Sequence, residues 1–455
     1  MNSIEICSYL EKEVIKPNNC TGCGMCVALL GGVMVYKNGT VLPDFVSKKK
    51  YIEDKVSNMV YLACPGHGIS YPSLYRKHYG RLPDNWLFGN VKKIRTGYAL
   101  DSTIRRNSAS GGVMTSVLCY LLESKRVDAV IIVRQGLKTP EEALVTIAHS
   151  LEEVLLSAQS VYIPVSVLDI LSEINPKLRY AITCLPEQAA SLRVLQHLGY
   201  EPANQIKYVL GPYTGTALES SAIRCLLKSR GIYRNDRIVS LKWRAGEWPG
   251  YLEIKLSSGK VVKSKKVYYN FLIPFFITQA SLQSIDFTNE FSDLSVGDAW
   301  SPKFENIGAG FSVIVTRSTE MESIINEMID KRFLKVENVA LSKAGEMHGH
   351  MIDFKKRGGF IRNKWKSALG FKVPNYGIYP SKIPFSRYVV ECVISGLFIV
   401  CRNRFSRKIL EFIPEAIIGP LFNKLRLFWK FTSRPTKRNG LENLDFIESD
   451  NGRLF

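Results

Sequence analysis

Three cysteines in the run CTGCGMC, Cys20, Cys23 and Cys26, constrain the start of this chain more tightly than any other feature. Thiols at that spacing sit on one tight turn and are held for metal rather than for pairing with each other. Gly22 and Gly24 stand between them, which frees the backbone for positive φ and lets N–H groups approach a sulfur-rich group. Apart from Cys64, six further cysteines are scattered singly: Cys7, Cys119, Cys184, Cys225, Cys392 and Cys401. The opening MNSIEICSYLEKEV lacks the basic start and apolar run of a signal peptide, so a reducing cytoplasm is expected.

The fourth ligand is the question the turn raises. In runs that build two clusters the spacing is C-x2-C-x2-C-x3-C-P, and the last cysteine ligates the other cluster. Here Leu30 takes that last place, while a lone Cys64-Pro65 follows downstream. Counting back from Cys64, the matching positions hold Asp54, Ser57 and Val60. Every ligand of one cluster is absent and every ligand of the other remains. The expected set is Cys20, Cys23, Cys26 and Cys64 around one 4Fe-4S cluster. A zinc ion is the competing occupant, although zinc sites usually draw on two separated C-x2-C pairs. His67 is read as a loop residue.

The rest of the chain reads as α/β, α+β overall: a ferredoxin-like module at 1–90, an α/β region with a Ser/Gly loop at 91–170, a second domain at 171–345, and a basic extension at 346–455. Asn38-Gly39 marks a hairpin turn within the first. NSASGG opens an apolar-periodic helix from about Gly112 to Glu123, and DAVIIVR follows as a buried strand. Hydroxyls, glycines and free N–H groups at a helix start suit a phosphate, and a plain N-cap is the alternative. MHGHM, with His348 and His350, is expected to be a loop without function.

Of 455 residues, 61 are Lys or Arg and 41 Asp or Glu, a formal charge of +20 that favours anionic partners. No helix-turn-helix, aromatic platform or zinc-finger pattern accompanies the charge, so nucleic acid is not an expected partner. The cations concentrate at the end, where YVVECVISGLFIVC is too short to span a bilayer and contains Glu391. From there to Arg438, Leu, Ile, Phe and Trp alternate with Arg and Lys. That pattern predicts amphipathic helices lying on the inner face of a cell membrane, with packing on the protein's own body or a partner as the alternative.

Three passages together resemble the beta-subunit family of coenzyme F420 hydrogenases and dehydrogenases: CTGCGMC with the later ACPG, SASGGVMTSVLCYLLE, and DFTNEFSDLSVGDAW. The resemblance covers residues 20 to about 315. It implies an iron-sulfur flavoprotein oxidoreductase with FAD near Ser108, Ser110, Gly111 and Gly112, and with Gly297 and Asp298 facing the cofactor. It also implies electron exchange with ferredoxin or a companion subunit on one side and coenzyme F420 or another two-electron carrier on the other. No catalytic side chain is identified. Where family members carry further cysteines, this chain has Glu187, Thr214, Ser281 and Ser284, as if a second cluster had been given up as a unit. A non-catalytic scaffold of a membrane-associated glycan or lipid pathway is the competing reading.

Overall fold

The computed structural model describes residues 1–37, 40–47, 51–136, 139–233, 235–265, 269–305, 307 and 309–449. The N-terminal segment is mainly helical, with helices Ser3–Tyr9, Met25–Leu29, Asp54–Ala63 and Tyr71–Tyr79. Asn2 and Glu5 form a capping box at the first of them, which satisfies its leading N–H groups. The short strands β1 (Met34–Tyr36) and β2 (Pro43–Phe45) pair antiparallel. The expected turn at Asn38-Gly39 lies outside the described residues.

The main sheet takes β3 (Lys93–Ala99), β4 (Ala129–Gln135), β5 (Ala143–Ala148), β6 (Tyr180–Thr183) and β7 (Ile206–Pro212). A separate antiparallel sheet follows, built from β8 (Ile238–Ala245), β9 (Tyr251–Leu256) and β10 (Val261–Lys265). The chain then returns with β11 (Leu294–Asp298), β12 (Ser312–Thr316) and β13 (Leu334–Asn338). The eight strands run in the order β13-β3-β12-β11-β7-β6-β4-β5. Pairs β11·β7, β7·β6 and β6·β4 are parallel and form the centre, and antiparallel strands close both sides.

The expected strand DAVIIVR is β4, and its unbroken apolar run has a simple cause. Successive strand residues point to opposite faces, and here Ala129 and Ile131 enter one core cluster while Val130 and Ile132 enter another. A sheet covered on both faces needs apolar residues at every position. The expected helix spans Val113–Glu123 and buries Val113, Val117, Leu118 and Leu121 against the second cluster. The first cluster runs without interruption from Ile6 and Leu10 through the cysteine turn to Ile182 and Phe446.

Two expectations fail or change in the C-terminal part. MHGHM is not a loop: both histidines lie on the helix Leu341–Asp353, and His348 is buried against the rings of Tyr213 and Phe287. Apolar neighbours on the following turn complete a helical stripe that two polar histidines had masked. The extension forms helices Phe385–Arg402, Arg404–Leu410 and Glu415–Arg438 as expected, but the charged stripe of the first of them faces inward. Arg387 and Glu391 are fully buried, paired with Asp353 and Arg362 across the interface. The apolar stripe Phe385, Val389, Val393, Leu397 and Val400 faces outward instead. Among the described residues, no helix is long and apolar enough to cross a membrane.

Candidate functional site

Cys20, Cys23, Cys26 and Cys64 line one small, almost wholly apolar cavity, together with Val14, Met34 and Pro65. Cys26 is on the first turn of the helix Met25–Leu29, and Cys64 follows the last residue of the helix Asp54–Ala63. Glycines allow this approach. Gly24 has φ +89°, and a Cβ there would lie 2.7 Å from the backbone nitrogen of Asp169. At Gly66 a Cβ would come within 2.5 Å of Val14 Cγ1. The N–H of Leu168 donates to the Cys23 carbonyl at 2.9 Å, which fastens the turn to the segment Val167–Glu173.

Electrostatics tie the four thiols into one group. Burial, and then the charge of Cys23, pushes Cys20 up to about 12. Cys26 is raised by burial and by Cys23, Cys20 and Cys64, and Cys64 by burial and by Cys23 and Cys20. Thiolates so placed repel one another in a dry cavity and require a bound cationic group to ionise together. Among the described residues, no set of three or more His, Cys, Asp or Glu is gathered so as to hold a metal ion at one point.

The second group of expected residues also meets in space. Ser110 Oγ donates to the Phe311 carbonyl at 2.7 Å, Ser108 Oγ to the Ile104 carbonyl at 2.7 Å, and the Gly111 N–H to Ser312 Oγ at 3.1 Å. Ser312 stands opposite Asp298 in the β11·β12 register, so the loop lies at the end of β11. Gly112, at φ +76°, starts the helix Val113–Glu123 without a side-chain cap. Gly297 is explained differently, since a Cβ there would lie 2.4 Å from the Tyr213 ring.

Arg244, which carried no signal in the sequence, joins these parts. It comes from β8, is buried, and donates to Asp298 Oδ2 at 3.0 Å, the Tyr162 hydroxyl at 3.1 Å and the Ala109 carbonyl at 2.6 Å. Burial disfavours its charge, but Tyr162 and Asp298 outweigh that and hold it above its ordinary value. Arg105 was also missed. Its guanidinium lies 3.5 Å from the Tyr98 ring centroid and donates to the Gly310 carbonyl at 3.1 Å.

Ser281, Thr214 and Ser284 are each engaged by the chain's own groups. Lys355, on the π-helical turn Phe354–Gly359 of the extension, is buried and donates through Nζ to the Ser281 carbonyl at 2.8 Å. Burial lowers it to about 8, against the opposing pull of Glu187. Thr214 Oγ1 donates to the Pro212 carbonyl at 3.0 Å, and Ser284 Oγ to the Asp286 carbonyl at 3.4 Å. Cys184 is a buried thiol, and burial raises it.

Comparison with known proteins accords with this arrangement. Residues 94–172 match the N-terminal profile of the coenzyme F420 hydrogenase/dehydrogenase beta subunit, and residues 177–341 match its C-terminal profile. The coenzyme F420 hydrogenase subunit beta of Methanococcus voltae is 26% identical over 264 residues, 57% of this chain and 88% of that protein. The coenzyme F420-dependent sulfite reductase of Methanocaldococcus jannaschii is 24% identical over 343 residues, 72% of this chain, which spans about half (48%) of that protein. A chain of the F420-reducing [NiFe] hydrogenase complex from Methanosarcina barkeri shares the fold, with a TM-score of 0.50 at 15% identity over 64% of this chain and 98% of its own. With the two profiles covering more than half of its length, the chain belongs to the coenzyme F420 hydrogenase/dehydrogenase beta-subunit family and is an oxidoreductase.

Proposed function

We propose that Cys20, Cys23, Cys26 and Cys64 hold one 4Fe-4S cluster and that the loop Ser108–Gly112, beside Asp298, holds FAD. In this reading the protein passes electrons between an iron-sulfur partner, ferredoxin or a companion subunit, and coenzyme F420 or another two-electron carrier. The observation that carries the cluster is four thiols around one dry cavity. A single zinc ion draws its thiolates to within about 3.8 Å of each other, given Zn–S bonds of about 2.3 Å. A cubane takes each thiolate on a different iron and so holds them further apart. When bound, the cluster supplies one-electron exchange and the flavin joins it to two-electron chemistry.

The chain's own residues prepare the flavin site. The uncapped first turn of Val113–Glu123 offers N–H groups and the positive end of the helix to a pyrophosphate. Ser108 and Ser110 already donate to carbonyls, so their oxygens are left to accept from ligand hydroxyls. Arg244 holds the loop against Asp298 and adds positive charge. The relatives' names supply coenzyme F420, and the surplus of 20 positive charges would favour an anionic carrier. The outward apolar helices of the extension would rest on an acidic membrane surface at the inner face of the cell membrane.

Purification without air tests the reading directly. Bound flavin and a broad brown absorbance are expected, and Cys64→Ser should lower iron content as strongly as Cys23→Ser while Cys184→Ser leaves it unchanged. Iron loss of the same size in Cys184→Ser means the ligand set is wrong.

A further inference from the structure

A cavity of about 630 Å³ opens between the helices Ser221–Lys228 and Arg404–Leu410, and none of the candidate cluster or flavin residues lines it. Five cations and the carboxylate of Glu142 line it, and three of the cations are neutralised within the protein. Arg224 pairs with Glu141, Lys228 Nζ reaches Glu411 Oε1 at 2.8 Å, and Arg407 forms two bonds to Glu219 at 2.6 and 2.9 Å. Arg404 and Lys408 line the same cavity and have no carboxylate partner among the described residues. They stand four apart on one helix, so both project from the same face.

The surroundings of those two cations are apolar and exposed. Phe405 is 71% and Phe412 75% exposed, and Ile409 lies on the surface between them. On the next helix Ile417, Leu421, Leu425 and Phe428 are exposed as well. An exposed apolar strip of this extent, rimmed by cations, is unusual on a free surface. A cationic hollow at the edge of an apolar strip matches one ligand in both parts, a phosphate joined to hydrocarbon chains.

We propose that this cavity binds the phosphate of an acidic lipid in a membrane, through Arg404 and Lys408, while Phe405, Ile409 and Phe412 enter the acyl layer. It rests on the membrane reading above and adds a defined headgroup site to it. Neither cation is part of the cluster or flavin machinery, and both are on the surface, so their replacement leaves the fold intact.

The test is flotation of the whole protein with vesicles of phosphatidylcholine alone and of phosphatidylcholine and phosphatidylglycerol in equal parts. Wild type is expected on the acidic vesicles. The pair Arg404→Gln and Lys408→Gln should weaken that binding by more than the roughly thirty-fold that two cations merely near the surface would lose at about 1 kcal/mol each. A control pair of equal charge, Lys424→Gln and Arg434→Gln, should weaken it several-fold less. Equal losses in the two pairs overturn the headgroup site and leave the membrane reading standing. Absence of wild type from both vesicles overturns both. Inorganic phosphate that binds wild type by calorimetry without any preference for acidic vesicles makes the cavity a site for the free ion and overturns the lipid assignment. Self-association through the apolar strip that persists with acidic vesicles present assigns the strip to a second copy and overturns it too.

Discussion

Two adjacent buried lysines should respond to the same substitution with losses of very different size. Lys356 and Glu290 are both fully buried and form an ion pair that also receives the Tyr75 hydroxyl, so it joins the extension to the N-terminal segment and to the loop before β11. Lys356→Met strands the Glu290 carboxylate in the core with one neutral donor. Breaking a buried pair from one side costs about 3–5 kcal/mol. Among the described residues Lys355 has no carboxylate within hydrogen-bonding reach and donates to the Ser281 carbonyl. Its fall from 10.5 to about 8 means that the fold disfavours its charged form, by about 3 kcal/mol at about 1.4 kcal/mol per pKa unit. Lys355→Met removes that penalty together with a charged hydrogen bond of about 1.5–3 kcal/mol, so the net change should stay within about 1 kcal/mol. Urea unfolding at pH 7, followed by circular dichroism, separates the two. A pH series adds a second reading. The unfolded state keeps the Lys355 proton up to 10.5 and the folded state only to about 8, so wild type should gain on Lys355→Met as pH rises between those values. Equal destabilisation by the two substitutions, or no gain above pH 8, would refute the reasoning.

Burial lowers His348 to about 4, so the unfolded chain takes up its proton first as pH falls below 6.5. Relative to His348→Gln, wild type should lose up to about 3 kcal/mol between pH 6.5 and 4, and comparing the two cancels Asp286, which burial and Glu290 raise to about 7 and whose contribution has the opposite slope. A flat difference across that window would mean that His348 is not held neutral. Gly66→Ala places a Cβ 2.5 Å from Val14 Cγ1, and overpacking of about 1–3 kcal/mol should appear as a lower urea midpoint together with lower iron content. Arg244→Gln should release flavin on gel filtration while iron per chain stays at the wild-type level. Flavin retained at full occupancy would show that the clamp between Ala109 and Asp298 does not shape the loop.

Local sequence carried much of this protein. The spacing of Cys20, Cys23 and Cys26 determines that three thiols share a turn, because a few residues with glycines between them have little other freedom. The helix Val113–Glu123 and the strand β4 were legible from periodicity, since period and apolar content follow from which faces are covered. The family itself was legible from three motifs.

What the sequence left open was decided by residues far apart in the chain. Periodicity in Phe385–Arg402 shows that Arg387 and Glu391 share a face, but not what that face meets. Only Asp353 and Arg362, brought in by tertiary packing, make burial of those charges tolerable and turn the apolar stripe outward. Likewise, Arg244 reaches Ala109 across 135 residues, and Lys355 lies against Ser281 where relatives would have a thiol nearby. A charge reads as solvated until its partner is known, and partnership between distant side chains is a property of the packed chain alone.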